Sequence, residues 1–365
     1  MRKLAITTTA IAAIALMALS GCSTRDAGTS GKSGDAAGFA KDARIGVALP
    51  SKTSENWVLA GQLFEDGLKA AGFKGDVQYA GASSTVADQQ GQISSMVTKG
   101  AKVIIIGAQD GGQLGTQVKQ AHDAGAVVIA YDRLILNTKD VDYYVAYDNE
   151  KVGELQGQAL LDGMKKKFPD KKTFNIELFS GSSDDANAPV FFKGAMKILQ
   201  PKIDDGTLKV VSGQTDIKQT ATAGWKPENA QSRMDALLTS SYTSTELDGV
   251  LSPNDTLARA IINSVQKAGK DVPVVTGQDS EVESVKSIMA GIQYSTINKD
   301  TRALVKHAIQ MVQDLQKGNK PETNSTEYNN GVKVVPTYLL PPELVTKDNA
   351  AESYANDPKL APLTK

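Results

Sequence analysis

Cysteine is almost missing from this chain. The 365 residues hold one, Cys22, so no disulfide can close within it. Histidine is nearly as scarce. Two histidines and one cysteine cannot supply the four nitrogen and sulfur ligands of a structural zinc site. No metal and no cofactor is expected. An excess of one charge is missing too: 40 Lys and Arg stand against 41 Asp and Glu, a formal net charge of −1. So even a balance offers no footing for nucleic acid or for an anionic lipid surface. No apolar run reaches the roughly 20 residues that a spanning helix needs. Tryptophan occurs twice, as Trp57 and Trp225. Both lie in polar loop contexts, where core filling is not the natural reason for them.

What is present begins with an address. Met1, Arg2 and Lys3 form a short positive region, and residues 4–19 are apolar with no charge. The run ends in Leu19-Ser20-Gly21-Cys22. A charged start, a short apolar core and small residues at a cleavage point make a secretory signal, here over residues 1–21. A lone cysteine in an exported protein needs a reason. Leu-Ser-Gly-Cys resembles the bacterial lipobox, in which that cysteine is lipidated and becomes the mature N-terminus. The expectation is an exported protein held by Cys22 on the outer face of the cell membrane, or on the periplasmic side in a diderm, without spanning it. Residues 22–42 are rich in Gly, Ser, Ala, Thr, Lys and Asp and read as a flexible tether. The folded part is expected from Ala43, and the about 300 residues left suit two domains.

Strand and helix patterns then alternate. Arg44-Ile45-Gly46-Val47-Ala48-Leu49 is a short apolar run ending at Pro50. Lys102-Val103-Ile104-Ile105-Ile106-Gly107 is unbroken and β-branched, as in a strand buried on both faces. Further strands fall at 77–80, 126–131 and 143–147, with helices at 57–71, 87–99 and 114–124 between them. A second series follows a break near Asp148. Its strands lie at 173–179, 209–211, 249–251, 272–276 and 294–297, separated by helices. Alternating β and α units imply parallel sheets covered by helices, and two series imply two similar lobes. Ligands of open α/β sheets sit at the carboxyl ends of the strands. There the chain places Asn56-Trp57, Asp132-Arg133, Asp184-Asp185 with Asn187, Asn254-Asp255, and Asp279. One such group would be an ordinary loop. Five facing a common cleft suggest a polar ligand with many hydroxyls.

These residues resemble a known family. Val128-Ile129-Ala130-Tyr131-Asp132-Arg133, Asp148-Asn149 with Val152-Gly153, and Gly277-Gln278-Asp279 are similar to the type I periplasmic sugar-binding proteins. Residues 182–188, Ala230-Gln231-Ser232-Arg233-Met234-Asp235, Leu251-Ser252-Pro253-Asn254-Asp255 and Gly331-Val332-Lys333-Val334-Val335-Pro336 look like the xylose-binding and multiple-monosaccharide-binding branch. The resemblance covers about residues 43–347. It implies an α/β fold of two Rossmann-like lobes (periplasmic binding protein type I) joined by a three-strand hinge. The crossings would fall near Asp148, Asn298 and Tyr328. Residues 43–147 plus 299–327 would form the N-terminal lobe and 148–298 plus 328–346 the C-terminal lobe. Residues 347–365 would be a surface tail.

The resemblance also implies roles. The partner is a monosaccharide, handed to an ABC transporter permease served by a separate ATPase subunit. The chain carries no P-loop of its own and is expected to act as a monomer. Asp132, Arg133, Asp185, Asn187, Asn254, Asp279 and Lys299 would hydrogen-bond hydroxyls. Carboxylates accept, Arg and Lys donate, and Asn does both. Trp57 and Trp225 would stack on the sugar's C–H faces. Asp148 would be a hinge residue. Asn56 would also hydrogen-bond a hydroxyl, but with a different reach, since the branch has Arg before the first tryptophan. That leaves the sugar open between xylose, glucose or galactose types and a ketose such as fructose or a furanose form. A two-lobe repressor would need an N-terminal helix-turn-helix, and a signal and tether fill that space. A glycosidase reading would take Asp132 and Asp279 as paired carboxylates, but no nucleophile–histidine constellation supports it. A chemosensory receptor component would share the ligand site and differ only in partner.

Overall fold

The computed structural model describes residues 38–52, 54–81 and 86–365. The signal segment, Cys22 and nearly all of the tether lie outside the described residues.

The first lobe is built on β1 (Arg44–Leu49), β2 (Lys74–Tyr79), β3 (Val103–Ile106), β4 (Val127–Tyr131) and β5 (Tyr143–Tyr147). A sixth strand arrives from far downstream, Thr337–Leu340, numbered β11 by its place in the chain. All six run parallel in the order β2-β1-β3-β4-β5-β11. The β-branched run shows why. Successive side chains of a strand point to opposite faces, and both faces here are covered. Val103 and Ile105 join the core under α1 (Glu55–Ala70) and α10 (Thr301–Gln316), with Phe64, Leu68 and Val312. Ile104 and Ile106 join the core under α2 (Val86–Thr98) and α3 (Gly115–Asp123), with Ile93, Met96 and Val118.

The second lobe repeats the plan on a smaller scale. Its parallel sheet has the order β7-β6-β8-β9. The strands are β6 (Phe174–Leu178), β7 (Leu208–Val210), β8 (Gly249–Leu251) and β9 (Val274–Val275). One core lies under α4 (Asn149–Lys167) and α5 (Ala188–Asp204), the other under α7 (Pro227–Ser240) and α8 (Asp255–Lys267). The short α6 (Ile217–Thr220) precedes α7, and α9 (Val282–Met289) follows β9. β10 (Ser295–Asn298) pairs antiparallel with β12 (Glu343–Thr346), outside the four-stranded sheet.

The chain leaves the first sheet after β5 at Tyr147-Asp148, and α10, packed on that sheet, follows β10 past Asn298-Lys299. Asp148 caps α4 by accepting from the Lys151 N–H at 3.0 Å. The third crossing differs. Residues 328–340 stay with the first lobe: Tyr328 and Val335 pack into its core, and β11 pairs with β5. The passage is at Pro341-Pro342, between β11 and β12, rather than near Tyr328. Both ends of the folded part also differ from expectation. Phe39 packs on Phe73 and donates its N–H to Gln316 O at 3.2 Å, so the body starts before Ala43. Residues 347–365 are not a loose surface tail. Ala350, in α11 (Ala350–Ser353), joins Tyr354 and Leu360 in a core with Val285 and Val345.

Ile105 sits at the centre of the first sheet and is 0% exposed. Ile105→Ala should lower unfolding free energy by about 2–5 kcal/mol, read from urea titration; a loss below 1 kcal/mol would contradict the two-faced burial of β3.

Candidate functional site

Each sheet reverses its winding once, between β1 and β3 in the first lobe and between β6 and β8 in the second. Crevices at the carboxyl ends of strands open at such points. Here both crevices face one cavity of about 380 Å³ between the lobes. Asn56, Trp57, Asp132, Arg133, Asp185, Asn187, Trp225, Asn254, Asp279 and Lys299 all line it, as does Asp184. Asp148 is not among its lining residues.

The two tryptophans enter from opposite lobes, and each lies against a glycine just past a strand. A Cβ on Gly107, after β3, would come 2.9 Å from the Trp57 ring. One on Gly181, after β6, would come 2.2 Å from the Trp225 ring. Only glycine lets the rings lie this close to the backbone. Trp57 also meets Tyr131 edge-on at 6.2 Å, and the Arg133 guanidinium lies 5.4 Å from its ring centre. Trp225 ends a single 3₁₀ turn, Ala223–Trp225, and its Nε1–H donates to Asp185 Oδ2 at 3.1 Å.

Charges are placed in pairs. Arg133 Nε is 3.0 Å from Asp185 Oδ2, with side chains 12% and 4% exposed. Lys299 Nζ is 3.0 Å from Asp279 Oδ1, at 12% and 15%. At such burial an unpaired charge would be costly, about 3–5 kcal/mol when one partner is removed. Burial works against the Lys299 ammonium, but the Asp279, Asp132 and Asp185 carboxylates outweigh it and its pKa is raised. For Asp132 the balance goes the other way. Burial pushes its carboxyl above the ordinary 3.8, Lys299 and Arg133 pull it back in part, and Asp185 and Asp279 add to the rise. Among the described residues none donates a hydrogen bond to the Asp132 carboxylate.

The backbone at these points is strained in a useful way. Asp132 has φ of 60° and Asp279 of 97°, in the left-handed region that favours glycine. The Asp132 carbonyl accepts from Tyr144 Oη at 2.8 Å and from Asn187 Nδ2 at 2.9 Å. Tyr144 belongs to the first lobe and Asn187 to the second, so this bond crosses the seam. Other contacts among the described residues cross it too, among them Arg133 with Asp185, Asn149 Nδ2 to Tyr144 Oη at 3.3 Å, and Asn56 Nδ2 to the Asp279 carbonyl at 3.2 Å. The lobes are therefore closed on one another.

Partners refine what sequence position alone suggests. Asn187 Oδ1 accepts from Asn149 Nδ2 at 3.0 Å with Tyr144 Oη 3.3 Å away, and its Nδ2 donates to the Asp132 carbonyl, so its amide is engaged chiefly with the protein and keeps one N–H. Asn254 caps α8, accepting from the Leu257 N–H at 2.9 Å, and keeps its Nδ2. Sequence reasoning missed Gln109, Phe191 and Gln278, which also line the cavity. Gln109 lies past a strand end like the others and could have been found by the same rule. Phe191 is an apolar residue in the first turn of α5, with nothing polar in its position to mark it.

Residues 45–320 match the family described as the periplasmic binding protein domain. The multiple sugar-binding periplasmic receptor of Rhizobium radiobacter is 49% identical over 318 residues, covering 85% of this chain and 89% of that one. The multiple sugar-binding periplasmic protein of Azospirillum brasilense is 44% identical over 310 residues, 84% and 86%. An ABC transporter solute-binding protein from Clostridium phytofermentans, solved with β-D-glucose bound, superposes with a TM-score of 0.82 at 39% identity. That likeness covers 88% of this chain and all of the other.

The raised pKa of Asp132 has a sign that can be tested. A ligand hydroxyl that donates to this carboxylate is held more strongly by its ionised form. Affinity is then complete above the raised pKa and falls as pH drops through it, in a window that lies above 3.8. Asp132's own contribution to the stability of the unliganded protein runs oppositely, rising as it protonates there. Calorimetry in buffers of different ionisation enthalpy should show proton release on binding in that window, and Asp132→Asn should abolish it.

Proposed function

The chain belongs to the periplasmic binding protein family, and we propose that it captures a monosaccharide between its lobes and delivers it to an ABC importer. Membership of a solute-binding family makes it a binding protein and not an enzyme, so Asp132 and Asp279 need no hydrolytic role. The observation that carries the reading is the cavity wall, where paired charges and flat rings from both lobes surround one space of about 380 Å³. A sugar needs both kinds of surface. Its hydroxyls donate to Asp132, Asp185 and Asp279 and accept from Arg133, Lys299 and the free N–H groups of Asn187 and Asn254. Its C–H faces lie against Trp57 and Trp225. Because an unmet buried group costs about 1–3 kcal/mol, the same wall rejects a wrong epimer.

The named relatives support an aldose as the first ligand to try: two bind multiple sugars by name, and one was solved with glucose. Asn56 keeps the ketose alternative in view. Its Nδ2 meets the Asp279 carbonyl of the opposite lobe, so it acts on closure as well as on any hydroxyl. The contacts across the seam support a cycle in which an open form admits the sugar and hinge bending closes the lobes over it. The closed form then docks, as a monomer, on a permease whose ATPase is another subunit. Cys22 holds the protein to the outer membrane face through its lipid.

Calorimetry against a panel of aldoses and ketoses should find at least one that binds, and silence from the whole panel would end the sugar reading. Asp279→Ala should abolish that binding with the circular dichroism spectrum unchanged; micromolar affinity in this variant would remove Asp279 from the contacts. For the anchor, Cys22→Ser should abolish incorporation of labelled palmitate and move the protein from the membrane to the soluble fraction. Continued labelling of the variant would refute lipidation at Cys22.

A further inference from the structure

Residues 347–365 do not line the cavity, yet they reach the turn that carries Asp279. Tyr354 is 1% exposed, and its hydroxyl donates to Ser280 Oγ at 2.7 Å. Ser280 follows Asp279, and φ is positive at both, 97° and 53°. Two successive non-glycine residues in this region persist only where neighbours hold them. Three backbone amides are held from the second lobe: Asp279 N–H by Ile297 O at 2.9 Å, Ser280 N–H by Thr296 Oγ1 at 3.2 Å, and Glu281 N–H by Asp255 Oδ2 at 3.0 Å. The Ser280 side chain adds a relay. Its Oγ accepts from Tyr354 and donates to Asn298 Oδ1 at 3.5 Å. Asn298 immediately precedes Lys299, the partner of Asp279. The relay therefore touches the chain beside both members of that pair.

The same segment also grips the first lobe. Asp357 meets Arg302 of α10, Oδ2 to Nη1 at 2.6 Å, with a second contact at 3.5 Å. Lys359 Nζ lies 3.1 Å from Glu55 Oε2, at the first residue of α1 and beside Asn56. The Lys359 pair is exposed and weak by itself. The Arg302–Asp357 pair is better sheltered and two-pronged.

We propose that Tyr354 is a positioning residue of the binding site, fixing the Asp279–Ser280 turn and Lys299 in the geometry that meets the ligand, and that residues 347–365 tie this turn to the first lobe. The proposal rests on the reading of Asp279 and Lys299 as ligand contacts. A tyrosine that only fills the core would lose nothing at the site on becoming phenylalanine. A positioning tyrosine would.

The experiment compares wild type with Tyr354→Phe, Ser280→Ala and the double variant. Wild-type calorimetry first identifies the sugar. Tyr354→Phe should then weaken its binding by roughly three- to tenfold, the worth of one hydrogen bond, chiefly through faster dissociation. In the Ser280→Ala background the same change should add little, because the relay is already broken. Binding within twofold of wild type in Tyr354→Phe, or full additivity of the two changes, overturns the proposal. Hydrogen exchange supplies an arm that needs no ligand. The amides of Asp279, Ser280 and Glu281 should exchange faster in Tyr354→Phe, and unchanged exchange there overturns the hold itself. If wild type binds no sugar in the panel, the sugar reading fails on its own, and the exchange arm still decides whether Tyr354 holds the turn. Should Tyr354→Phe fold poorly, Ser280→Ala alone breaks the relay from its other end and is read in the same two ways.

Discussion

The structure depends on one constraint: charges taken out of water at a seam must be met there. Arg133 and Lys299 are mostly buried, and each is paired with a carboxylate from the second lobe's loops. An ion left alone at such depth costs far more than a lost surface pair. The wall of the cavity is thus a set of groups that must find partners when the lobes close. In the closed arrangement much of that demand is met by the protein itself. Asp132 is one exception, a carboxylate beside two cations with no hydrogen bond to its carboxylate among the described residues, and Gln109 Oε1 and Gln278 Oε1 of the same wall are also left without a partner. That asymmetry supports the proposal that the cavity is a site and not only a packed interface.

Much of this was legible in the sequence because parallel α/β sheets write their function at the strand exits. The run 103–106 announces a strand covered on both faces, and the polar residues past β1, β4, β6 and β8 fall where such sheets leave crevices. Sequence gives position, however, and not partner. Nothing in the string Asp185-Ala186-Asn187 says that the asparagine is held by Tyr144 and Asn149. Nothing near Asn56 says that its amide reaches a carbonyl 223 residues away. Trp225 was legible as a ring in a polar loop, but its fit against Gly181 was not.

The least legible part was the stretch after α10. β11 and β12 are four residues each and flank two prolines, too short to show a period. Residues 347–365 carry few apolar side chains, yet Tyr354 and Leu360 are enough to seat them on α9 and β12. The resemblance to known sugar-binding proteins indicated the general path and placed the third crossing too early. Only the pairing of β11 with β5 shows that the first lobe keeps its claim on the chain as far as Leu340.

That pairing has a consequence for assembly order. The first lobe opens the chain but does not own a continuous piece of it. α10 and β11 are separated from β5 by the whole second sheet. As the chain is synthesised, the first lobe waits with one edge strand and one covering helix missing while the second lobe is made. β10 in turn waits for β12. Neither lobe is one continuous stretch of the chain, and each is completed by a strand that follows α10. Contacts this distant in sequence form slowly. The geometry that lets two halves swing about one cleft also commits them to reach the native state together.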